Sequence, residues 1–155
     1  MNPAGIAVLV VAVVAALSFG VWRWRTDGRL RSVTGPVTGP VTSAATLADG
    51  DEPVVTFDAG DLGAPLGPRA TLVQFSTVFC QPCRATRRIL DEVAAMVEGV
   101  AYVDIDAEAH LDLVRRLDVR RTPTIFLLDA AGRAVMRATG QPRKADVVAA
   151  LGEIV

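Results

Sequence analysis

The sequence predicts an α/β domain, a mixed central sheet flanked by helices, preceded by one membrane-spanning helix. Three observations predict it. Residues 3–22 carry no charge, and all 16 basic and 17 acidic side chains follow Trp22. Residues 53–155 alternate strand-like and helix-like segments in the order β, β, α, β, α, β, β, α. Strand–helix–strand units indicate parallel pairing, and the closing hairpin indicates an antiparallel part. The chain's 2 cysteines, Cys80 and Cys83, lie three residues apart at the start of a helix-like segment.

The apolar run PAGIAVLVVAVVAALSFGVW comes first. As a helix it extends about 30 Å, the hydrocarbon thickness of a bilayer. Trp22 and Trp24 stand at its end, where an aromatic belt would place them. A cleaved signal peptide would need basic residues before a shorter core and small residues at a cleavage site. Here no Lys or Arg precedes the run and VWRWR follows it. Residues 1–24 therefore read as a retained single-pass anchor in the cell membrane, inserted through 3–22. Arg23, Arg25, Arg29 and Arg31 follow the run. The positive-inside rule then leans the soluble domain to the cytoplasmic side, with an extracytoplasmic domain as the alternative.

Residues 25–52 read as a flexible Gly/Pro/Thr linker. VTGP occurs at 33–36 and again at 37–40. Proline removes backbone donors, and glycine raises the entropy cost of order. A free chain of this length reaches about 30 Å root-mean-square.

The globular part is expected over 53–155. Val54–Phe57 is a short strand candidate, and Gly60–Pro68 a loop rich in Gly and Pro. Ala70–Ser76, ATLVQFS, is a nearly continuous apolar run, as a strand buried on both faces would be. The helix opened by the cysteine motif runs to about Glu98, with Ile89, Val93, Met96 and Val97 as its inward face. Gly99 stops it. Val100–Ile105 is a strand, Glu108–Leu117 a helix with Leu111, Val114 and Leu117 inward, and Thr124–Leu128 a central strand. A turn at Ala130–Arg133 leads into Ala134–Thr139. Residues 143–155 form the last helix, with Val148, Leu151 and Val155 on one face.

Composition excludes some functions. The net charge of −1 offers no Lys/Arg-dominated surface to nucleic acid. Structural zinc wants four ligands, and the single His110 lies far from the cysteines on an acidic helix, so no metal site is expected. At a helix start, the first cysteine's thiolate is stabilised by free backbone N–H groups and by the helix dipole. The second lies one turn on, within reach of a disulfide. Pro82 suits the first turn, where a missing donor is no loss. Arg84 adds positive charge nearby. Cys80 is then the nucleophile, and Cys83 resolves the mixed disulfide. Arg87–Asp91 and Arg88–Glu92 have the i, i+4 spacing of ion pairs on a solvated face.

Buried strand, Phe79-Cys80-Gln81-Pro82-Cys83 and helix together resemble the active site of thioredoxins, most familiar as WCGPC. Arg121-Thr122-Pro123-Thr124, just before a strand, resembles that family's cis-proline loop. Gly132 matches its hairpin turn, and Gly140 its glycine before the last helix. The resemblance covers roughly residues 54–155 and implies a thioredoxin fold. It implies Cys80 as nucleophile, Cys83 as resolving cysteine and a cis Pro123. It also implies that the Pro123 loop lies against Cys80, keeps metal away and presents the Thr122 backbone to substrate. Phe79 would form part of an apolar rim.

Two positions depart from the family pattern. Where thioredoxins carry a buried Asp that assists proton transfer at the resolving cysteine, this chain has Gln74. The usual Lys partner of that Asp aligns with Tyr102. Glutamine cannot serve as a general base. Gln81-Pro82 replaces Gly-Pro, a dipeptide that tunes reduction potential in this fold.

The expected function is membrane-tethered thiol–disulfide exchange with protein thiols and disulfides, using no dissociable cofactor beyond the Cys80–Cys83 redox pair. An electron donor or acceptor is implied but not identified. The alternatives are an extracytoplasmic disulfide donor and a non-catalytic binding module on the same fold.

Overall fold

The computed structural model describes residues 3–26, 28–33 and 54–155, with side chains in the first segment described for Ile6 and Val8–Trp22. Helix α1 covers Pro3–Thr26, and its described apolar side chains are exposed. These form a shorter stretch than the helix itself, and among the described residues no helix is long and apolar enough to cross a membrane.

A sheet of five strands organises the rest: β1 (Arg31–Ser32), β2 (Ala70–Ser76), β3 (Val100–Asp106), β4 (Thr124–Asp129) and β5 (Ala134–Thr139). Their order is β1-β5-β4-β2-β3; β2 and β3 are parallel, and the other pairs antiparallel. Helices α2 (Ala59–Leu62), α3 (Gln81–Met96), α4 (Leu111–Arg116) and α5 (Lys144–Gly152) complete the fold.

Strand β2 is buried along its whole length, which is why its sequence is nearly continuously apolar. Alternation still assigns its side chains to two cores, because successive residues point to opposite faces. Leu72 joins Ile125 and Leu127 of β4, Leu90 and Val93 of α3, and Val147 and Leu151 of α5. Val73 and Phe75 join Phe126 and Leu128, Phe57 and the α4 residue Leu113 on the other face. Phe126 meets Phe75 edge-on at 5.9 Å and Phe57 tilted at 5.4 Å. Full burial of a side chain of this size contributes about 1.5–3 kcal/mol.

The structure corrects several expectations. Val54–Phe57 makes only an isolated bridge, Thr56 to Arg133, and no strand. The loop expected over 60–68 begins inside α2, which the Asp58 carboxylate caps by accepting from the Asp61 amide at 2.8 Å. In α3 the buried residues are Cys83, Thr86, Leu90 and Val93, and Ile89 and Val97 pack partly against the same core, whereas Met96 is exposed. In α4, Leu113 is buried and Leu111 exposed; in α5, Val147 is buried and Val148 exposed. Leu117 and Leu151 are buried as expected, and Val114 and Val155 pack partly against the two cores, so of the expected inward residues of these two helices only Leu111 and Val148 face outward. Arg87 pairs with Asp104 of β3, and Glu92 with Lys144 of α5, in place of the expected pairs along α3. The largest departure lies in 25–52: residues 28–33 pack on the sheet with β1 as its edge strand, while 34–53 lie outside the described residues.

The β4–β5 turn shows how one carboxylate closes a hairpin. Gly132 takes φ 79°, a conformation that favours glycine. Asp129 Oδ1 accepts from the Ala131 and Arg133 amides at 2.9 and 3.0 Å, and Oδ2 accepts from Arg133 Nε at 2.7 Å. Burial alone would raise the Asp129 pKa, but these hydrogen bonds and the Arg133 charge outweigh it and hold the carboxyl below its ordinary value. A depressed folded-state pKa contributes stability that is present above the unfolded value and lost as pH falls through the folded one. Asp129→Asn is therefore expected to lower stability at pH 7 by about 1 kcal/mol. The gap to the parent protein should close below about pH 4, read by denaturant melts across pH.

Candidate active site

Strand β2 ends at Ser76, and the chain turns through Thr77–Phe79 into α3. Cys80 is the N-cap residue, with extended backbone angles (φ −83°, ψ 97°), so its sulfur stands outside the first turn. The Cys83 amide donates to Cys80 Sγ at 3.1 Å. This is the contact that stabilises a thiolate at a helix N-terminus. Gln81 and Pro82 occupy the exposed first turn. Cys80 and Cys83 are joined in a disulfide, with Cα atoms 5.2 Å apart. Cys80 is half-buried and Cys83 is 2% exposed, so an incoming thiol meets Cys80 first.

Phe79 is 91% exposed and Val78 61%, an apolar tip beside the disulfide. The Thr122–Pro123 peptide is cis. This loop is tied to the cysteine turn by Thr77 Oγ1 and Thr122 Oγ1 at 3.5 Å, and the Cys80 amide donates to the Thr77 carbonyl at 3.2 Å. Thr124 Oγ1 donates to the Arg121 carbonyl at 2.7 Å, and the Gly140 amide to the Pro123 carbonyl at 2.8 Å. The structure thus gathers Phe79, Cys80, Gln81, Pro82, Thr122 and Pro123 at the carboxyl ends of β2 and the amino end of β4. Sequence reasoning missed Thr77 and Val78; a polar residue followed by an apolar one in a loop gives little signal.

Gln74 lies behind the disulfide, fully buried on the α3 face. Its Nε2 donates to the Cys83 carbonyl at 3.1 Å, and its Oε1 accepts from the Tyr102 hydroxyl at 3.2 Å. Burial first, then the charge of Asp104, pushes the Tyr102 hydroxyl pKa well above its ordinary value, so it remains a donor throughout the physiological range. A neutral hydrogen-bonded pair thus occupies the place of a titrating one. His110 is exposed at the N-cap of α4, remote in sequence from both cysteines.

A family profile described as thioredoxin matches residues 67–153, more than half of the chain. The chain belongs to the thioredoxin family. It is 30% identical over 113 residues to the thioredoxin of Mycolicibacterium smegmatis, a match covering 71% of this chain and 95% of that protein. It is 28% identical over 60 residues to thioredoxin H5 of Oryza sativa subsp. japonica, of which the match spans only 44%. Among solved structures it is similar to a chloroplastic thioredoxin z, with 29% identity and a TM-score of 0.52 over 56% of this chain and 79% of that one. Thioredoxin membership and the Cys80–Cys83 disulfide together make this a site for thiol–disulfide exchange.

Proposed function

We propose that this thioredoxin-family chain is a membrane-anchored thiol–disulfide oxidoreductase acting on protein partners through Cys80 and Cys83. The observation that carries the reading is the disulfide at the amino end of α3, with one sulfur accessible and the other buried.

The exchange balances without a cofactor. In the dithiol form, the Cys80 thiolate attacks one sulfur of a partner disulfide; that bond breaks, and the departing sulfur leaves as a thiolate and takes a proton. Cys83 loses its proton and attacks Cys80, and the second partner sulfur leaves and is protonated. Two electrons and two protons have moved to the partner, and the Cys80–Cys83 disulfide has formed. The reverse sequence donates a disulfide. A thiol reductant or a disulfide oxidant of the compartment recharges the pair.

Anchoring is supported by the charge-free run 3–22, by the 24-residue helix α1 and by its exposed described side chains. The arginines after the run support a cytoplasmic domain. A second reading, a binding module without turnover, is favoured only by the non-titrating Gln74.

The test uses the full chain in phosphatidylcholine vesicles. After loading with dithiothreitol and removal of the excess, it should reduce a soluble disulfide with a burst of one disulfide per chain, and should remain with the vesicles through alkaline washing. No burst would leave the binding module. Release by the wash would end the anchored reading. A reporter fused after Val155 should be active on the cytoplasmic side.

A further inference from the structure

We infer that the site is built for disulfides held at the membrane surface, those of membrane-embedded or membrane-anchored proteins. The reason is that the chain fastens the end of α1 to the active-site end of the sheet. This inference rests on the anchored-oxidoreductase reading above.

The fastening is a built joint. Helix α1 ends at Thr26, and already at Gly28 the backbone is bound to the domain: its amide donates to the Thr139 carbonyl at 2.9 Å. Gly28 is buried at φ +78°, and a Cβ there would run into the Gln141 backbone. Only glycine fits so close an approach. Arg31 and Ser32 then pair with Arg137 and Met136, and the Val33 amide donates to the Val135 carbonyl at 3.1 Å. Leu30 packs into the core under α3 and α5, and Val33 into the opposite one.

Register fixes which end of the sheet this is. Gly28 binds Thr139, Thr139 pairs with Thr124, and Thr124 pairs with Phe75. That row crosses the sheet just below Ser76–Cys80 and the cis Pro123. From β1 to β2 is three strand steps, about 14 Å. The two residues from Thr26 to Gly28 add at most about 7 Å.

The VTGP repeats do not separate anchor from domain. Residues 34–53 leave from Val33, which is bound to β5, and return at Val55, whose carbonyl accepts from Ala134 at 2.8 Å. Both ends lie on the domain. A free tether over 25–52 would let the site range over about 30 Å. The docked joint instead holds the active-site row of β2 within about 20 Å of the end of α1 at Thr26. Effective concentration is then high for a disulfide at that height and falls steeply for a distant one.

The experiment uses the full chain, charged with dithiothreitol, in phosphatidylcholine vesicles with two lipid-linked probes. One carries a disulfide directly at the headgroup; the other carries it on a polyproline stalk of about 60 Å. The parent chain should reduce the headgroup probe about tenfold faster than the stalked one. Two variants loosen the hold of α1 on the site: Gly28→Val, which undocks the joint, and a 20-residue Gly-Ser insertion after Asp27, which lengthens the chain ahead of the joint and leaves the domain's own residues intact. Each should bring the two rates within about twofold, while the rate with a soluble disulfide stays within about twofold of the parent. Equal rates with both probes in the parent, or an insertion that changes nothing, would overturn the inference while soluble exchange and vesicle retention persist. Loss of soluble exchange in the parent, or its release from vesicles, would instead overturn the underlying reading and this inference with it.

Discussion

Cys80→Ser is expected to reduce disulfide exchange to the uncatalysed background, while Cys83→Ser retains the first step and stalls. The asymmetry follows from placement. Cys80 is the partly exposed sulfur that receives the Cys83 amide hydrogen bond, so it alone is both reachable and activated. Serine at this position has the oxygen but not the acidity, since its hydroxyl does not ionise near neutral pH. In Cys83→Ser the attack still occurs, but nothing resolves the mixed disulfide, which should accumulate as a covalent adduct visible by non-reducing mass analysis and released by dithiothreitol. Neither variant should unfold. The ring closed by the disulfide is short, and removing it costs about 2 kcal/mol in the chain-entropy picture. For a domain of this size that lowers the melting temperature by about 10 °C. A Cys83→Ser protein that is folded and forms no adduct would remove the assignment of Cys80 as nucleophile.

The parts that were legible in the sequence share a physical cause. Ala70–Ser76 and Thr124–Asp129 are central strands, where burial on both faces forces a continuous apolar run, so their bounds could be read almost to the residue. The cysteine pair was legible because Pro82 and the following apolar periodicity mark a helix start. What was not legible depends on tertiary contact. Leu111 and Leu113 are equally apolar, and only the position of α4 over Phe75 and Phe126 decides that Leu113 is buried. Met96 continues the period of α3 but is exposed, while Val97 beside it packs against the core. Residues 28–33 read as linker because an edge strand with a single partner needs little apolar sequence. Its strongest signal, Gly28, is a glycine whose constraint comes from Gln141, more than a hundred residues away. Gln74 was legible as a departure, but its bond to the Cys83 carbonyl was not.

That bond makes Gln74→Asp the most informative change behind the disulfide. The parent residue is neutral, fully buried and bonded at both ends, to Cys83 and to a Tyr102 hydroxyl that stays protonated. A carboxyl group in its place is shorter, keeps one O–H donor while protonated, and loses any donor to Cys83 when ionised. Burial, and the charge of nearby Asp104, should raise its pKa by about three units above the ordinary 3.9. Such a group binds its proton more tightly folded than unfolded, so stability falls as pH rises from the unfolded pKa through the folded one. The variant should be close to the parent below about pH 4 and lose about 4 kcal/mol by pH 8, since each unit is worth about 1.4 kcal/mol. The same group, able to accept a proton beside Cys83, should add a titration near neutral pH to the rate of the resolving step, which the parent lacks. Denaturant melts at several pH values and single-turnover exchange across the same range read the two effects separately. A stability loss that does not change with pH would mean that the new carboxyl reaches water. The Gln74–Tyr102 pair would then not be the sealed, non-titrating contact that sets this site apart from an acid-assisted one.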